Sequence, residues 1–199
     1  ELIWMRTVAS QLPAAPTTPQ AHPNPLPAPM PGRPPAPPAG TPAVRGAQFG
    51  DDDRFVNGTL EGKRVRVVGA GNIASRYASF AHFMGADVAA WDPFAAEPAF
   101  HRAGTRREHF LDRLVQDADI FAPMVPLTDG TRGIVTAAHI NALPRGAIVV
   151  RVTRANIVDV EALRRRVLAD ELALAADVFD IEPVPLNDPL LGRPNVIHT

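Results

Sequence analysis

The residues with the most chemical content in this 199-residue chain are two glycines and an aspartate. Gly69-Ala70-Gly71-Asn72-Ile73-Ala74 follows the apolar run Arg64–Val68 directly and opens a helical pattern. Asp92 comes about twenty positions later, after a second apolar run. Gly69 can take a turn conformation that a Cβ resists, and Gly71 lets bare backbone approach an anion at the positive end of the helix. Ala74 keeps the third position small, so that helix and strand pack closely. The chemistry these residues serve is the holding of a pyrophosphate. A carboxylate at Asp92 accepts hydrogen bonds from the adenosine ribose hydroxyls and repels a 2′-phosphate, which predicts NAD rather than NADP. The bland alternative is a tight strand-to-helix turn followed by a surface Asp-Pro turn; it lacks a reason for the βαβ context.

Those residues need a frame. Short apolar runs at 64–68, 87–91, 119–123, 147–151, 173–178 and 195–198 read as buried parallel strands, and amphipathic segments alternate with them. The first helix is expected over 72–84, with Ile73, Tyr77, Phe80, Ala81 and Met84 sharing one face and Gly85 as its stop. Further helices are expected at 109–116, 137–143 and 160–169, with Thr136 and Asp159 as N-caps and Pro144 ending the middle one. The fold class is therefore α/β: a Rossmann-type doubly wound parallel sheet with helices on both faces, spanning 58–199. Ahead of it, Leu2, Met5, Val8 and Leu12 share a face in a helix over 1–12, read as the remnant of an interdomain helix. Residues 13–57 hold more than half of the 22 prolines and few large apolar side chains, the composition of an extended or disordered linker. Pro34-Pro35-Ala36-Pro37-Pro38 also fits a ligand for an aromatic-lined groove, although the linker reading suffices.

Composition narrows the function. Lys and Arg total 20 against 21 Asp and Glu, a net charge of −1, so no global positive field exists for a nucleic acid. The chain has no cysteine, which removes disulfides, thiolate catalysis and cysteine-ligated metals; no metal is expected, and a reducing, cytoplasmic setting fits. No apolar run is long enough to span a bilayer, so no membrane partner is expected. The spacing of His22, His82, His101, His109 and His139 matches no metal-ligand pattern.

From about Gly58 to Thr199 the sequence resembles the cofactor domain of the D-isomer-specific 2-hydroxyacid dehydrogenases. The resemblance is carried by LEGKRVRVVGAGNIA, WDP at 91–93, VPLTDGTRGI at 125–134, RVTRANIVDVEAL at 151–163, DVFDIEP at 177–183 and PLLGRPNVIHT at 189–199. It implies an NAD-dependent oxidoreductase moving hydride between the cofactor and a D-2-hydroxy or 2-oxo acid. Asn72 and Ile73 then belong to the pyrophosphate loop and Asp92 anchors the ribose. Pro126 and Thr131 fall at cofactor contacts, and Val152, Thr153 and Asp177 line the nicotinamide side. Arg154 falls at the substrate arginine, whose planar fork grips a carboxylate with two hydrogen bonds and polarises the carbonyl. Glu182 falls at the acidic partner of the catalytic histidine, where a carboxylate orients the imidazole and raises its pKa. A homodimer is implied as well.

Departures from the pattern sharpen the expectations. The family's histidine follows the last strand in a Thr-Pro-His sequence, whereas this chain stops at Thr199; proton donor and substrate domain are therefore expected to be absent, and the chain alone inactive. His198 is read as a structural strand residue. Arg151 stands where the pattern usually has Asn, and Ala155 where it usually has Gly; both could alter the angle of Arg154, and Arg151 adds charge suited to an acidic substrate. Arg164-Arg165-Arg166 is expected to be a solvated helix face. A different class of function also fits, a non-catalytic NAD-sensing dimeric scaffold of the corepressor type, because the same fold serves both. Retention of Arg154 and Glu182 favours chemistry. Another kind of Rossmann dehydrogenase is disfavoured, since the DVFDIEP block has no role there.

Overall fold

The computed structural model describes residues 59–199; the expected helix over 1–12 and the Pro-rich segment lie outside them. Seven strands form one parallel sheet: β1 (Arg64–Val68), β2 (Asp87–Trp91), β3 (Arg106–Arg107), β4 (Ile120–Pro123), β5 (Ile148–Arg151), β6 (Ala173–Ala176) and β7 (Val196–His198). Their order is β3-β2-β1-β4-β5-β6-β7. The chain winds outward from β1 through β2 and β3, then returns to the other side of β1 to begin β4. The crevice between β1 and β4 is thus the point where the winding reverses, the place where such sheets bind ligands at their carboxyl edge.

Strand alternation divides the interior in two. Val65, Val67, Val88, Ala90, Ile120, Ala122, Ile148 and Val150 face α1 (Asn72–Phe83) and α2 (Glu97–Arg102), which contribute Ala74, Tyr77, Ala78, Ala81 and Phe100. Val68, Phe121, Val149 and Leu174 face α3 (Leu111–Val115), α4 (Ala137–Ala142) and α5 (Val160–Leu168), which contribute Leu114, Ile140, Leu163 and Val167. Both faces are covered, which explains why the central strands are buried on both sides and mostly apolar, with Arg66 of β1 and Arg151 of β5 as buried exceptions.

The apolar face expected on α1 is only partly the buried one. α1 buries Ala74, Tyr77, Ala78 and Ala81, while Ile73 and Phe80 are 61% and 56% exposed. Three alanines in that stripe bring the helix axis close to the sheet, and this close approach rotates the larger side chains to the flank. The helix boundaries follow the expected signals. Gly85 closes α1 at φ +86, Asp159 Oδ1 accepts the Ala162 N–H at 2.8 Å to cap α5, and Leu143 leaves α4 with extended backbone before Pro144.

The arginine run is not a solvated face either. Arg166 is 7% exposed; its Nε donates to Glu171 at 2.9 Å and its Nη1 to the Ile140 and Leu143 carbonyls at the end of α4. Arg164 donates to both oxygens of Asp188 at 3.0 Å, tying α5 to the segment between β6 and β7. Arg165 alone of the three is exposed. At the opposite end of the sheet Arg66, 1% exposed, is fully used: it bonds Asp117 and Asp87 side chains and the Asp87 carbonyl.

Candidate cofactor and substrate site

Every residue singled out from the sequence lies just beyond the carboxyl end of a strand. Gly69, Gly71, Asn72 and Ile73 follow β1, Asp92 follows β2, Pro126 and Thr131 follow β4, Val152, Thr153 and Arg154 follow β5, and Asp177 and Glu182 follow β6. A parallel sheet brings them to one edge although more than a hundred residues separate the first from the last.

The two glycines do different work. Gly69 has φ +119, and a Cβ there would stand 3.2 Å from the Met124 carbonyl carbon and oxygen, so the backbone just past β4 would have to give by a few tenths of an ångström. Its N–H donates to the Trp91 carbonyl at 2.7 Å, which locks the turn to the end of β2. Gly71 has an ordinary φ of −75, and a Cβ there would meet no protein atom within 4 Å. The space above Gly71 is open, and it is the space an approaching phosphate needs. Gly71 is also the N-cap of α1, and no side chain caps that helix or places an acid in its first turn. The first N–H groups of the helix therefore keep their donors and their positive field for an anion from outside. This glycine cradle and uncapped end fit the pyrophosphate of a dinucleotide.

Asp92 is bound into the same turn. Its Oδ2 accepts the Ala70 N–H at 2.9 Å, and its Oδ1 accepts those of Phe94 and Ala95 at 2.9 and 3.1 Å. A carboxylate has roughly four acceptor sites, so capacity remains on Oδ2 for one further donor. The side chain is thus immobilised before any ligand arrives, a role the spacing alone did not reveal.

Along β4 and β5 the picture is mixed. Thr131 is 6% exposed and turned into its own loop, its hydroxyl donating to the Pro126 carbonyl and accepting the Thr128 N–H at 2.8 Å. It braces the loop, and both Thr131 and Pro126 have these polar atoms engaged internally. Thr153 Oγ1 donates to the Pro123 carbonyl at 3.2 Å, joining the exits of β4 and β5. Val152 is half-buried against the α1-side core. Arg154 is exposed at the rim, its guanidinium bonded at 2.7 Å to the Thr153 carbonyl.

The altered turn after Arg154 accommodates alanine well. Ala155 begins a 3₁₀ turn over Ala155–Ile157 without positive φ, and its methyl group is buried. The turn is held from the side, because Gly133 donates to the Asn156 carbonyl at 2.9 Å and Val135 pairs with Val158. Beyond β6, the Asp177 N–H donates to the Arg151 carbonyl at 3.0 Å and its carboxylate accepts the Thr199 hydroxyl. Glu182 is exposed, with Oε1 accepting the Phe179 N–H at 2.8 Å. His198 ends β7 with its ring edge-on to Phe179 at 6.3 Å.

Arg151 is the surprise. It is 1% exposed, and no hydrogen-bond partner meets any of its three guanidinium nitrogens. Burial pulls its pKa down, and the nearby Asp180 charge only partly offsets this. The departure from Asn was visible in the sequence, but its burial was not.

Comparison with known proteins places this geometry. The NAD-binding domain of the D-isomer specific 2-hydroxyacid dehydrogenases matches residues 38–199. D-3-phosphoglycerate dehydrogenase of Archaeoglobus fulgidus is 32% identical over 147 residues, covering 73% of this chain and 28% of that protein. A phosphoglycerate oxidoreductase structure from Vibrio cholerae O395 superposes with TM-score 0.65 at 30% identity, covering 74% of this chain and 47% of that one. A D-isomer specific 2-hydroxyacid dehydrogenase from Xanthobacter autotrophicus Py2, solved with NADPH and MES, superposes with TM-score 0.59 at 31% identity over 69% of this chain and 43% of that one. The chain spans less than half the length of these relatives. With the uncapped glycine turn, the anchored Asp92 and the reversal of winding between β1 and β4, the match identifies the chain as a member of the D-isomer specific 2-hydroxyacid dehydrogenase family, through its NAD-binding domain.

Proposed function

We propose that this chain is the cofactor-binding part of an oxidoreductase acting on a D-2-hydroxy acid or the corresponding 2-oxo acid. The observation that carries the reading is the site's division of labour. An uncapped helix end and an immobilised carboxylate flank β1 and β2, and an exposed arginine leads out of β5. A nicotinamide cofactor, when bound, supplies or accepts hydride at the substrate carbon.

The chain's own residues have distinct tasks. Backbone N–H groups from Gly71 to Ile73 hold two phosphates without a countercharge. Asp92 takes a ribose hydroxyl of NAD on its free acceptor site and opposes a 2′-phosphate, so NAD is preferred over NADP. Thr153, by drawing the exits of β4 and β5 together, shapes the nicotinamide end with Val152 and Asp177. Arg154 grips the substrate carboxylate and polarises the oxygen that changes between hydroxyl and carbonyl. Glu182, in the segment beyond β6, orients an imidazole that carries the proton. A homodimer and a cytoplasmic setting belong to the same reading. Among the described residues no helix is long and apolar enough to cross a membrane, while Ile73 and Phe83, 61% and 88% exposed on α1, offer apolar surface to a second copy.

The test is titration of the chain with NAD and with NADP, before and after Asp92→Ala. NAD should bind more tightly than NADP, and the substitution should erase most of that difference, roughly tenfold or more. Equal affinities in the native chain would remove the role given to Asp92, and failure to bind either would remove the function.

A further inference from the structure

We propose that Arg151 is the anchor of an oxyanion subsite, in which its buried guanidinium takes a carboxylate or phosphate group that enters beneath the Phe179 ring.

The case begins with contrast. Among the described residues two other arginines are buried and both are paired: Arg66 with Asp87 and Asp117, and Arg166 with Glu171 and the carbonyls ending α4. Arg151, as deeply buried as Arg66, has no such partner on Nε, Nη1 or Nη2. A guanidinium carries five donors in a fixed fork, and leaving them all unmade in the interior is costly. The acids whose charge reaches it are Asp180, Asp188 and Glu182, with Arg164 as the opposing cation. Those acids are engaged elsewhere. Asp188 accepts two bonds from Arg164 at 3.0 Å, Asp180 lies 3.8 Å from Arg164, and Glu182 accepts the Phe179 N–H. Asp177, joined to Arg151 through the backbone, has its carboxylate on Thr199.

Position supplies the second observation. Arg151 is the last residue of β5, at the carboxyl edge that carries the rest of the site and three positions before Arg154. Over its Cζ lies the Phe179 ring, 5.4 Å to the centroid. Phe179 is half-buried and belongs to the irregular segment between β6 and β7, in which Ile181 and Leu186 are 61% and 98% exposed. The Phe179 ring packs at the edge of the core and edge-on to His198, but it belongs to an irregular segment that can repack where a strand could not. What fits a planar fork of donors is a group with two coplanar acceptor oxygens.

The anion has two sources: the second acid group of a substrate whose 2-oxo acid end sits at Arg154, or a free inorganic anion. Only the first rests on the function proposed above.

Thermal unfolding of the 199-residue chain in sodium phosphate and in D-malate, against sodium chloride of equal ionic strength, tests the proposal. Both anions should raise the midpoint and Arg151→Asn should weaken their apparent binding roughly tenfold or more, the range for lost charge-assisted hydrogen bonds. Phosphate also suits the Gly71 turn, so the readout is the part of the stabilisation that Arg151→Asn removes. Phe179→Ala keeps the arginine and removes its cover; anion stabilisation should be retained or increased in it. With NADH present, a substrate source predicts that D-malate outcompetes phosphate and that Arg154→Gln weakens D-malate alone, whereas a free-anion source predicts indifference to Arg154. Equal anion effects in native chain and Arg151→Asn would overturn the subsite. Should Arg151→Asn not fold, absence of any anion effect in Phe179→Ala beyond that of chloride would overturn it instead. NAD titration of the same proteins separates the two readings: retained anion binding without NAD binding defeats only the cofactor function, and the reverse defeats only the subsite.

Discussion

Replacing each glycine of the turn by alanine separates what the fold needs from what the ligand needs. At Gly69 the new Cβ meets the Met124 backbone at 3.2 Å, and φ is +119, a region costing an L-residue about 1–3 kcal/mol. Since the Met124 backbone just past β4 must also shift by a few tenths of an ångström, Gly69→Ala should lower unfolding free energy by about 2–4 kcal/mol. At Gly71 the φ of −75 and ψ of −173 suit alanine, and its Cβ meets no protein atom within 4 Å. Gly71→Ala should therefore leave stability within about 1 kcal/mol of native, the loss of a glycine N-cap being offset by reduced unfolded-state entropy. The methyl group occupies the space above the free N–H groups, so phosphates are held away and NAD affinity should fall at least roughly tenfold. Urea unfolding and NAD titration can both be followed through Trp91, which is half-buried at the end of β2 beside Asp92. Native NAD affinity in Gly71→Ala would refute the cradle. Native stability in Gly69→Ala would refute the close approach of β4.

Other perturbations probe the frame. The Arg66 hydrogen bonds hold the Asp117 carboxyl below its usual pKa; a depressed folded-state pKa means stability present above the unfolded value of about 4 and lost as pH falls through the folded one. Urea unfolding should show declining stability below about pH 4, and Asp117→Asn should flatten that decline; an unchanged slope would show that other carboxyls dominate. Asp159→Ala removes the acceptor for the Ala162 N–H and should cost about 1 kcal/mol in urea unfolding, less than a few tenths meaning that the cap is idle. Arg151→Met substitutes an apolar chain for an unpaired buried cation and, in chloride buffer, should raise unfolding free energy by about 1–3 kcal/mol; destabilisation instead would mean that the guanidinium over Phe179 is worth more than its desolvation.

Much of this architecture is legible because apolar strands and glycine turns are local signals. The ranges expected for β1 and β2 coincide with those observed, and the remaining expected strands differ by no more than two residues at an end. β3 was missed because two arginines joined to β2 alone carry no apolar signature. α2 was missed because six residues with Pro98 near the start are too few to show periodicity. The failures about side chains have one cause. Composition says that arginines are exposed, yet Arg66, Arg151 and Arg166 are buried, each where sheet or helix-end geometry supplies or withholds partners from distant segments. Asp92 lies at the exit of β2, where its spacing from Gly71 puts it, but its bond to Ala70 depends on the turn of one strand meeting the end of its neighbour. Arg154 and Glu182 lie exposed beyond β5 and β6, whereas Thr131 spends its hydroxyl inside its own loop, a difference that their positions in the sequence do not show.

A net charge of −1 conceals how charge is laid along the carboxyl edge. At the β2 exit stands Asp92, its geometry fixed by three backbone donors. Beside it, over β1, lies a helix end whose field is positive but which bears no full charge. At the β5 exit stand Arg154 and the buried Arg151. A dinucleotide laid across this edge with its adenosine ribose at β2 meets a carboxylate where it has hydroxyls and free N–H groups where it has phosphates. Its other end then reaches the side of the sheet where Arg154 and Arg151 stand. Reversing the ligand would put the carboxylate against the substrate's own carboxylate and leave the arginines facing a neutral base. Orientation therefore follows from the order of charges along the edge, before any side chain contacts the reacting atoms. Reversing the charge at the β2 end, Asp92→Arg, should weaken NAD and turn the preference toward NADP, and a variant that still binds NAD as tightly as the native chain would show that the glycine turn alone sets the direction.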